Sequence, residues 1–572
     1  MLRGAARRFR RSGGVKADLK TRHGGRILAD ALVAQGVKFA FGVPGESYLP
    51  LLDGMHDVRE RMTYVVCRQE GGASYMAEAY GKLTGEPGVL LVTRGPGATN
   101  GAIGVHTGFQ DSTPMVMLIG QVGNDMMERE AFQEIDYRRM FGQMAKWVAQ
   151  IDRVERIPEY VSHAFHASLA GRPGPVVLAL PEDMLFSEAA VADVARAHVV
   201  RPSPAPSQME EVKRLLEKAE RPFVILGGGG WTREATLAVQ RWVETCGFPA
   251  GTSFRCQDLF DNRSSSYAGD VGIGINPKLA QRVRDADLLL VIGARLGEMT
   301  TSGYSLLEVP QPRQKLVHVH AGAEELGRVY RPELAINSGY PQFVAALSSL
   351  SLSRNPGWKS EAARARAEYL EWIEPRAMPG EVQYGEIIRW LSNTLPEDAI
   401  VTGGAGNFAG WLHRHFTYKG FRTQLGPTNG SMGRVAVAAK LACPQRAVLA
   451  VCGDGDFLMN GQEIATAVQH GANFVALVVN NGQYGTIRMH QEREYPARVF
   501  GTALRNPDFA EYARAFGAHG ETVERTEDFA RAYERASRSG KPALIELRID
   551  PDAITPATTL TAIREKSLQR KP

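Results

Sequence analysis

Residues 447–487, AVLAVCGDGDFLMNGQEIATAVQHGANFVALVVNNGQYGTI, decide the fold. The stretch opens with an apolar run of strand length, 447–452, and breaks at Gly453-Asp454-Gly455-Asp456. Between 459 and 470 the apolar residues Ile464, Ala465, Ala467 and Val468 recur at helical spacing, and Gly471 is a stop signal. A second apolar run, 474–479, ends in Asn480-Asn481. The pattern predicts strand, helix, strand, and a crossover of that kind makes the two strands parallel. Their carboxyl ends then share one edge of the sheet, where open α/β sheets bind ligands.

Asp454 follows the first strand end and Asn481 the second, so both can point into one pocket. A carboxylate oxygen beside an amide oxygen suits Mg²⁺, which takes few protein ligands and fills its octahedron with water and phosphate oxygens. Gly455 and Gly485 leave room for a phosphate to approach the backbone, and amides at the helix start can donate to it. These residues predict a site for a diphosphate with Mg²⁺ and say nothing more about the ligand.

GDG followed across a strand–helix–strand unit by NN resembles the signature of thiamine diphosphate enzymes. The resemblance implies that Asp454, Asn481 and the backbone carbonyl of Gln483 bind Mg²⁺, with Gly455, Asp456 and Gly485 at the diphosphate. Upstream, GVPGES, RQEGGA, TRGPGATN and GRPGPV occur in an order that resembles the pyrimidine-binding domain of the acetolactate synthase group. That resemblance implies that Pro44 and Gly45 touch the cofactor and that Glu70 hydrogen-bonds N1′ of its aminopyrimidine. Proton sharing there favours the imino tautomer that activates the thiazolium carbon. Read without the resemblance, Glu70 is a poorly solvated acid or an acid that stabilises a helix dipole.

The same resemblance assigns diphosphate contacts to Ala405, Gly406 and Asn407, after a strand at 399–401. It gives Gly430 the carbonyl that takes the 4′-amino proton and makes Met432 the wedge under the bent cofactor. Phe132 and Gln133, within AFQE, are implied to border the substrate. His106, after an apolar helical stretch, is a further candidate for the substrate pocket or a structural histidine.

The chain has 572 residues, too many for one core at about 150 residues per domain. Apolar and repeating βα patterns divide it into a basic extension at 1–23, a first domain at 24–186, a linker at 187–208 and a central domain at 209–350. A second linker at 351–378, a third domain at 379–552 and a tail at 553–572 complete it. The expected class is α/β, with three doubly wound parallel sheets that bind the pyrimidine, fill the centre and bind the diphosphate. The first 25 residues hold much of the net charge of +5, and the extension is expected to be disordered rather than to bind nucleic acid. No apolar run reaches the about 20 residues of a membrane span, and the five scattered cysteines fit a reducing, cytoplasmic setting.

In the central domain the sequence departs from biosynthetic members of the group. Met299 stands where they carry an arginine for the second substrate. Their GMHG segment is not recognisable at 269–274, and His318-Val319-His320-Ala321-Gly322 lacks the aspartates of their HIDID strand. These departures argue against FAD and for a colourless protein. The expected activity is a decarboxylase or carboligase acting on a 2-keto acid such as pyruvate, with an aldehyde or second keto acid as acceptor. The alternatives are a simple decarboxylase, a 2-hydroxyacyl lyase or a silent cofactor-binding subunit. A homodimer or homotetramer with its site at the subunit interface is also implied.

Overall fold

The computed structural model describes residues 19–353, 356–432 and 436–570. The basic residues before position 19, expected in an extension, lie outside the described residues, as does Gly433 beside the expected wedge. Three six-stranded sheets, all parallel, organise the described chain. The first runs Thr63–Val66, Phe39–Gly42, Gly88–Val92, Met115–Gln121, Pro175–Pro181, Trp147–Gln150 across its width. The third runs Gln424–Leu425, Ile400–Gly403, Val448–Gly453, Val475–Asn480, Ala543–Arg548, His519–Val523. Numbered within each domain, both follow the order 2-1-3-4-6-5. The central sheet follows 3-2-1-4-5-6, with Pro222–Leu226 and Leu288–Ile292 at its middle.

The runs read as strands are buried on both faces, as sheets covered by helices on each side require. The first and third domains also share a core: Phe41, Met76 and Leu90 belong to one apolar cluster with Ile400, Val437 and Phe509. The helix Glu70–Thr84 packs against Val437–Ala442 to make that junction.

Two expectations change. Arg22 and His23, expected in a disordered extension, pair antiparallel with Glu188 and Ala189, and Arg22 binds Asp30 at 2.7 Å. The helix expected over 459–470 is broken into Asp454–Phe457, a 3₁₀ turn at Gly461–Glu463 and Ile464–Gln469. Asn460, at φ −142°, leaves the helical region. The turn lets the buried Glu463 carboxylate accept the backbone N–H of Arg68 and Gln69, at 3.1 and 2.9 Å. A continuous helix there would forfeit that bond between domains.

Candidate functional site

At the switch point of the third sheet, the strands Ile400–Gly403 and Val448–Gly453 are neighbours, and the loops leaving them diverge. Asp454 begins the short helix after the second strand and is almost wholly buried. Its Oδ1 accepts the Gly455 N–H at 2.9 Å, and its Oδ2 accepts Gly482 N at 2.9 Å and Asn506 Nδ2 at 2.8 Å. Burial pushes the carboxyl above its ordinary pKa, and these donors draw it back. Asn481 follows the strand Val475–Asn480, and its Oδ1 accepts Gln483 N at 3.3 Å. Asn407 and Thr486 bind each other reciprocally at 3.0 Å.

These residues open onto a cleft of about 750 Å³ between the central and third domains. Asp454, Gly455, Asp456, Asn481, Gln483 and Gly485 line it. So do Ala405, Gly406, Asn407, Gly430 and Met432. The backbone runs too close for side chains: a Cβ on Gly404 would lie 1.9 Å from Asp456 Oδ2, and one on Gly455 would lie 2.6 Å from Tyr484 Cε1. Space beside Gly485, expected for phosphate, is occupied by Ile554 and the Asn481 amide.

The other expected residues lie elsewhere. Pro44, Gly45 and Glu70 sit where strands of the first sheet end, and Glu70 accepts Asn100 Nδ2 at 3.0 Å. Gln133, at φ +67°, lies against Gly95 on that side, and Phe132 is 73% exposed. No residue of the first domain lines the 750 Å³ cleft. His106 lines a second cleft, of about 760 Å³, with Met299 and Gly430 in the wall that both share.

The loop that carries Gly430 and Met432 has no regular structure, and other domains hold it. Lys82 Nζ donates to Gly426 O at 2.6 Å and to Asp111 Oδ2 at 2.8 Å. Asp111 Oδ1 accepts Thr428 N at 2.7 Å and its hydroxyl at 2.5 Å. Asn429 Nδ2 reaches Thr107 Oγ1 and His106 Nδ1, both at 3.2 Å, and Tyr75 bonds Ser431. From the central domain, Arg255 donates to Pro427 O at 2.8 Å and Gly404 O at 2.7 Å. Lys82, Asp111, Arg255 and Asn506 went unnoticed in the sequence, where no motif marks them.

The C-terminal segment closes one end of the cleft. Ile554 and Thr555 line the cleft, and Ile554 and Leu560 pack on Met489. Behind them Glu492, with no side-chain exposure, accepts Arg564 Nε at 2.9 Å and Arg488 NH2 at 2.8 Å. Arg564 is the main cause of a Glu492 carboxyl held down to about 2. An acid so depressed stabilises the docked segment above its ordinary pKa of 4.5, and that contribution is lost as the pH falls through about 2. Pepsin cleavage after residue 555 is therefore expected to rise between those limits, and Glu492→Gln is expected to expose the segment to proteases at neutral pH.

Known proteins match this arrangement domain by domain. Residues 22–140 match the thiamine pyrophosphate enzyme N-terminal TPP binding domain, 209–347 the central domain and 404–547 the C-terminal TPP binding domain. The acetolactate synthase isozyme 2 large subunit of Escherichia coli K12 is 28% identical over 539 residues, covering 92% of this chain and 96% of its own. The probable acetolactate synthase large subunit of Methanocaldococcus jannaschii is 28% identical over 556 residues, 93% of each chain. The mitochondrial acetolactate synthase catalytic subunit of Saccharomyces cerevisiae is 27% identical over 560 residues, 92% of this chain and 80% of that one. With all three domains matched in order, the chain belongs to the thiamine pyrophosphate enzymes.

Proposed function

We propose that the chain is a thiamine diphosphate- and Mg²⁺-dependent enzyme that decarboxylates a 2-keto acid of the pyruvate type and joins the product to an aldehyde or a second keto acid. The carrying observation is that the residues expected to hold one cofactor fall into two separate groups. The metal and diphosphate residues line one cleft, while Pro44, Gly45 and Glu70 lie on the first domain, which contributes nothing to that cleft. A second copy, presenting its first domain over the cleft, would complete the site, so the active form is a homo-oligomer.

The residues fit the group. Asp454 and Asn481 offer hard oxygens, and the Gln483 carbonyl adds a third, the donor set that Mg²⁺ shares with phosphate. Gly404 and Gly455 have no room for a side chain beside Asp456 and Tyr484, which keeps the backbone of Ala405, Gly406 and Gly455 at the wall of the cleft. When bound, the thiazolium ring supplies a carbon nucleophile and a sink for the electrons released with CO₂. Glu70 would hold pyrimidine N1′ and share a proton with it, and the Gly430 carbonyl would accept from the 4′-amino group. Met432 would support the rings, and the Lys82–Asp111 clamp fixes the loop that carries it.

Asp111→Ala would release the loop without touching the cofactor. It is expected to lower kcat by about 10²-fold, the cost of a misplacement near 1 Å, with diphosphate affinity little changed. Steady-state rates beside calorimetry check this.

Met299 favours a second reading. A thioether in the wall shared by both clefts offers no charge to the carboxylate of a second keto acid. Plain release of aldehyde by a decarboxylase, or cleavage by a 2-hydroxyacyl lyase, suits it better. FAD is not expected, so the purified protein should be colourless. Five free cysteines, and no helix among the described residues able to cross a membrane, support a reducing cytoplasmic setting. The test is incubation with thiamine diphosphate, Mg²⁺ and a panel of 2-keto acids, assaying CO₂ and carbon–carbon bond products. Carboligation products support the first reading, aldehyde alone a simple decarboxylase, and cofactor binding without turnover of any keto acid contradicts both of these in favour of 2-hydroxyacyl cleavage or a silent cofactor-binding subunit.

A further inference from the structure

Opposite the diphosphate residues, the 750 Å³ cleft is walled by the central domain and the linker that follows it. Ile273, Tyr369 and Trp372 make that wall largely apolar, and the Asp270 carboxyl interrupts it. Asp270 lies near the carboxyl end of the edge strand Tyr267–Val271. Its Oδ1 is shut off from solvent and has no hydrogen-bond partner among the described residues. The nearby guanidinium of Arg255 is engaged by the carbonyls of Pro427 and Gly404. His413, on the third-domain helix Ala409–His415, also lines the cleft, its ring meeting Phe254 edge-on at 5.4 Å. Burial, reinforced by Arg255, pushes its pKa well below the ordinary range, so it stays neutral.

An apolar wall with one polar group of unmet capacity is the usual form of a specificity pocket. We propose that Asp270 is a specificity-determining residue, selecting substrates that carry a hydroxyl at the end reaching the central domain. The inference rests on the cleft being the active site of the proposed enzyme. Burial lifts the Asp270 carboxyl well above the usual range, while Arg255 draws it back. A hydroxyl pairs with either protonation state, since it both donates and accepts. A methyl group in its place leaves the buried oxygen unpaired, and a site built to bond a hydroxyl rejects the analogue lacking it.

The test compares congeners that differ by one hydroxyl: 3-hydroxypyruvate with pyruvate as donors, and glycolaldehyde with acetaldehyde as acceptors. In the native enzyme kcat/KM is expected to favour the hydroxylated member of at least one pair by roughly tenfold or more. Asp270→Ala should bring that ratio near one without slowing the methyl congener. The isosteric Asp270→Asn, which keeps the fold if alanine does not, should retain part of the preference. A readout independent of turnover is quenching of Trp372 and Trp411, which line the cleft, by the unreactive pair glycerate and lactate. Tighter glycerate binding that Asp270→Ala abolishes supports the assignment even if no keto acid is turned over, an outcome that would sink only the proposed reaction. No hydroxyl preference in either assay, or a preference that survives Asp270→Ala, overturns it.

Discussion

Glu70→Gln is expected to reduce turnover by about 10²–10⁴-fold, the range of a lost general acid–base group, while thiamine diphosphate affinity changes only a few-fold. Glutamine keeps the size and the hydrogen-bonding reach of the side chain, and its amide can still meet Asn100. What it cannot do is exchange a proton with a ring nitrogen. The proposed metal and diphosphate residues lie on a different domain, so binding should survive the loss. Measuring kcat and the calorimetric Kd on one preparation separates the two quantities. An unchanged kcat would remove Glu70 from the mechanism.

Asp454→Asn is expected to fail in the opposite sense, by losing the cofactor rather than the chemistry. The amide retains the shape but not the charge. Its NH₂ would also face the N–H donors of Gly482 or Asn506, which the second carboxylate oxygen now accepts. Replacing an outer partner of a metal ligand costs about 10–100-fold in affinity, so replacing the ligand itself should cost more than about 100-fold. Calorimetry with Mg²⁺ present reads this directly, and saturating cofactor should restore part of the activity of Asp454→Asn but none of that of Glu70→Gln. Equal cofactor affinity in the native and Asp454→Asn proteins would contradict the metal assignment.

Much of this was legible because parallel sheets advertise themselves. Strands buried on both faces must be apolar runs, and ligands collect where those runs end. Asp454 and Asn481 could therefore be placed from strand ends alone, and one cleft does hold both. The helix between them was less legible, because Glu463 serves a partner almost four hundred residues away and local spacing carries no sign of it. The same holds for Asp111, which pins Thr428 across a separation of 317 residues, and for Asn506, which comes from a loop beyond any motif. His106, a candidate for the substrate pocket or a structural histidine, lines the second cleft and meets Asn429 in the loop clamp. Composition cannot reveal such contacts, because each is a single polar pair fixed by how domains dock.

The most direct test of a cofactor shared between two copies of the chain uses the same two variants together. Glu70→Gln and Asp454→Asn, each inactive alone at limiting cofactor, are mixed in equal amounts, exchanged by mild dissociation and reassociated. Half of the resulting dimers pair unlike chains, and each of these has one site with both native residues, so about a quarter of native activity should return. Activity that stays at the level of the separate variants, in dimers verified to be mixed, would contradict a site built from Glu70 of one copy and Asp454 of the other.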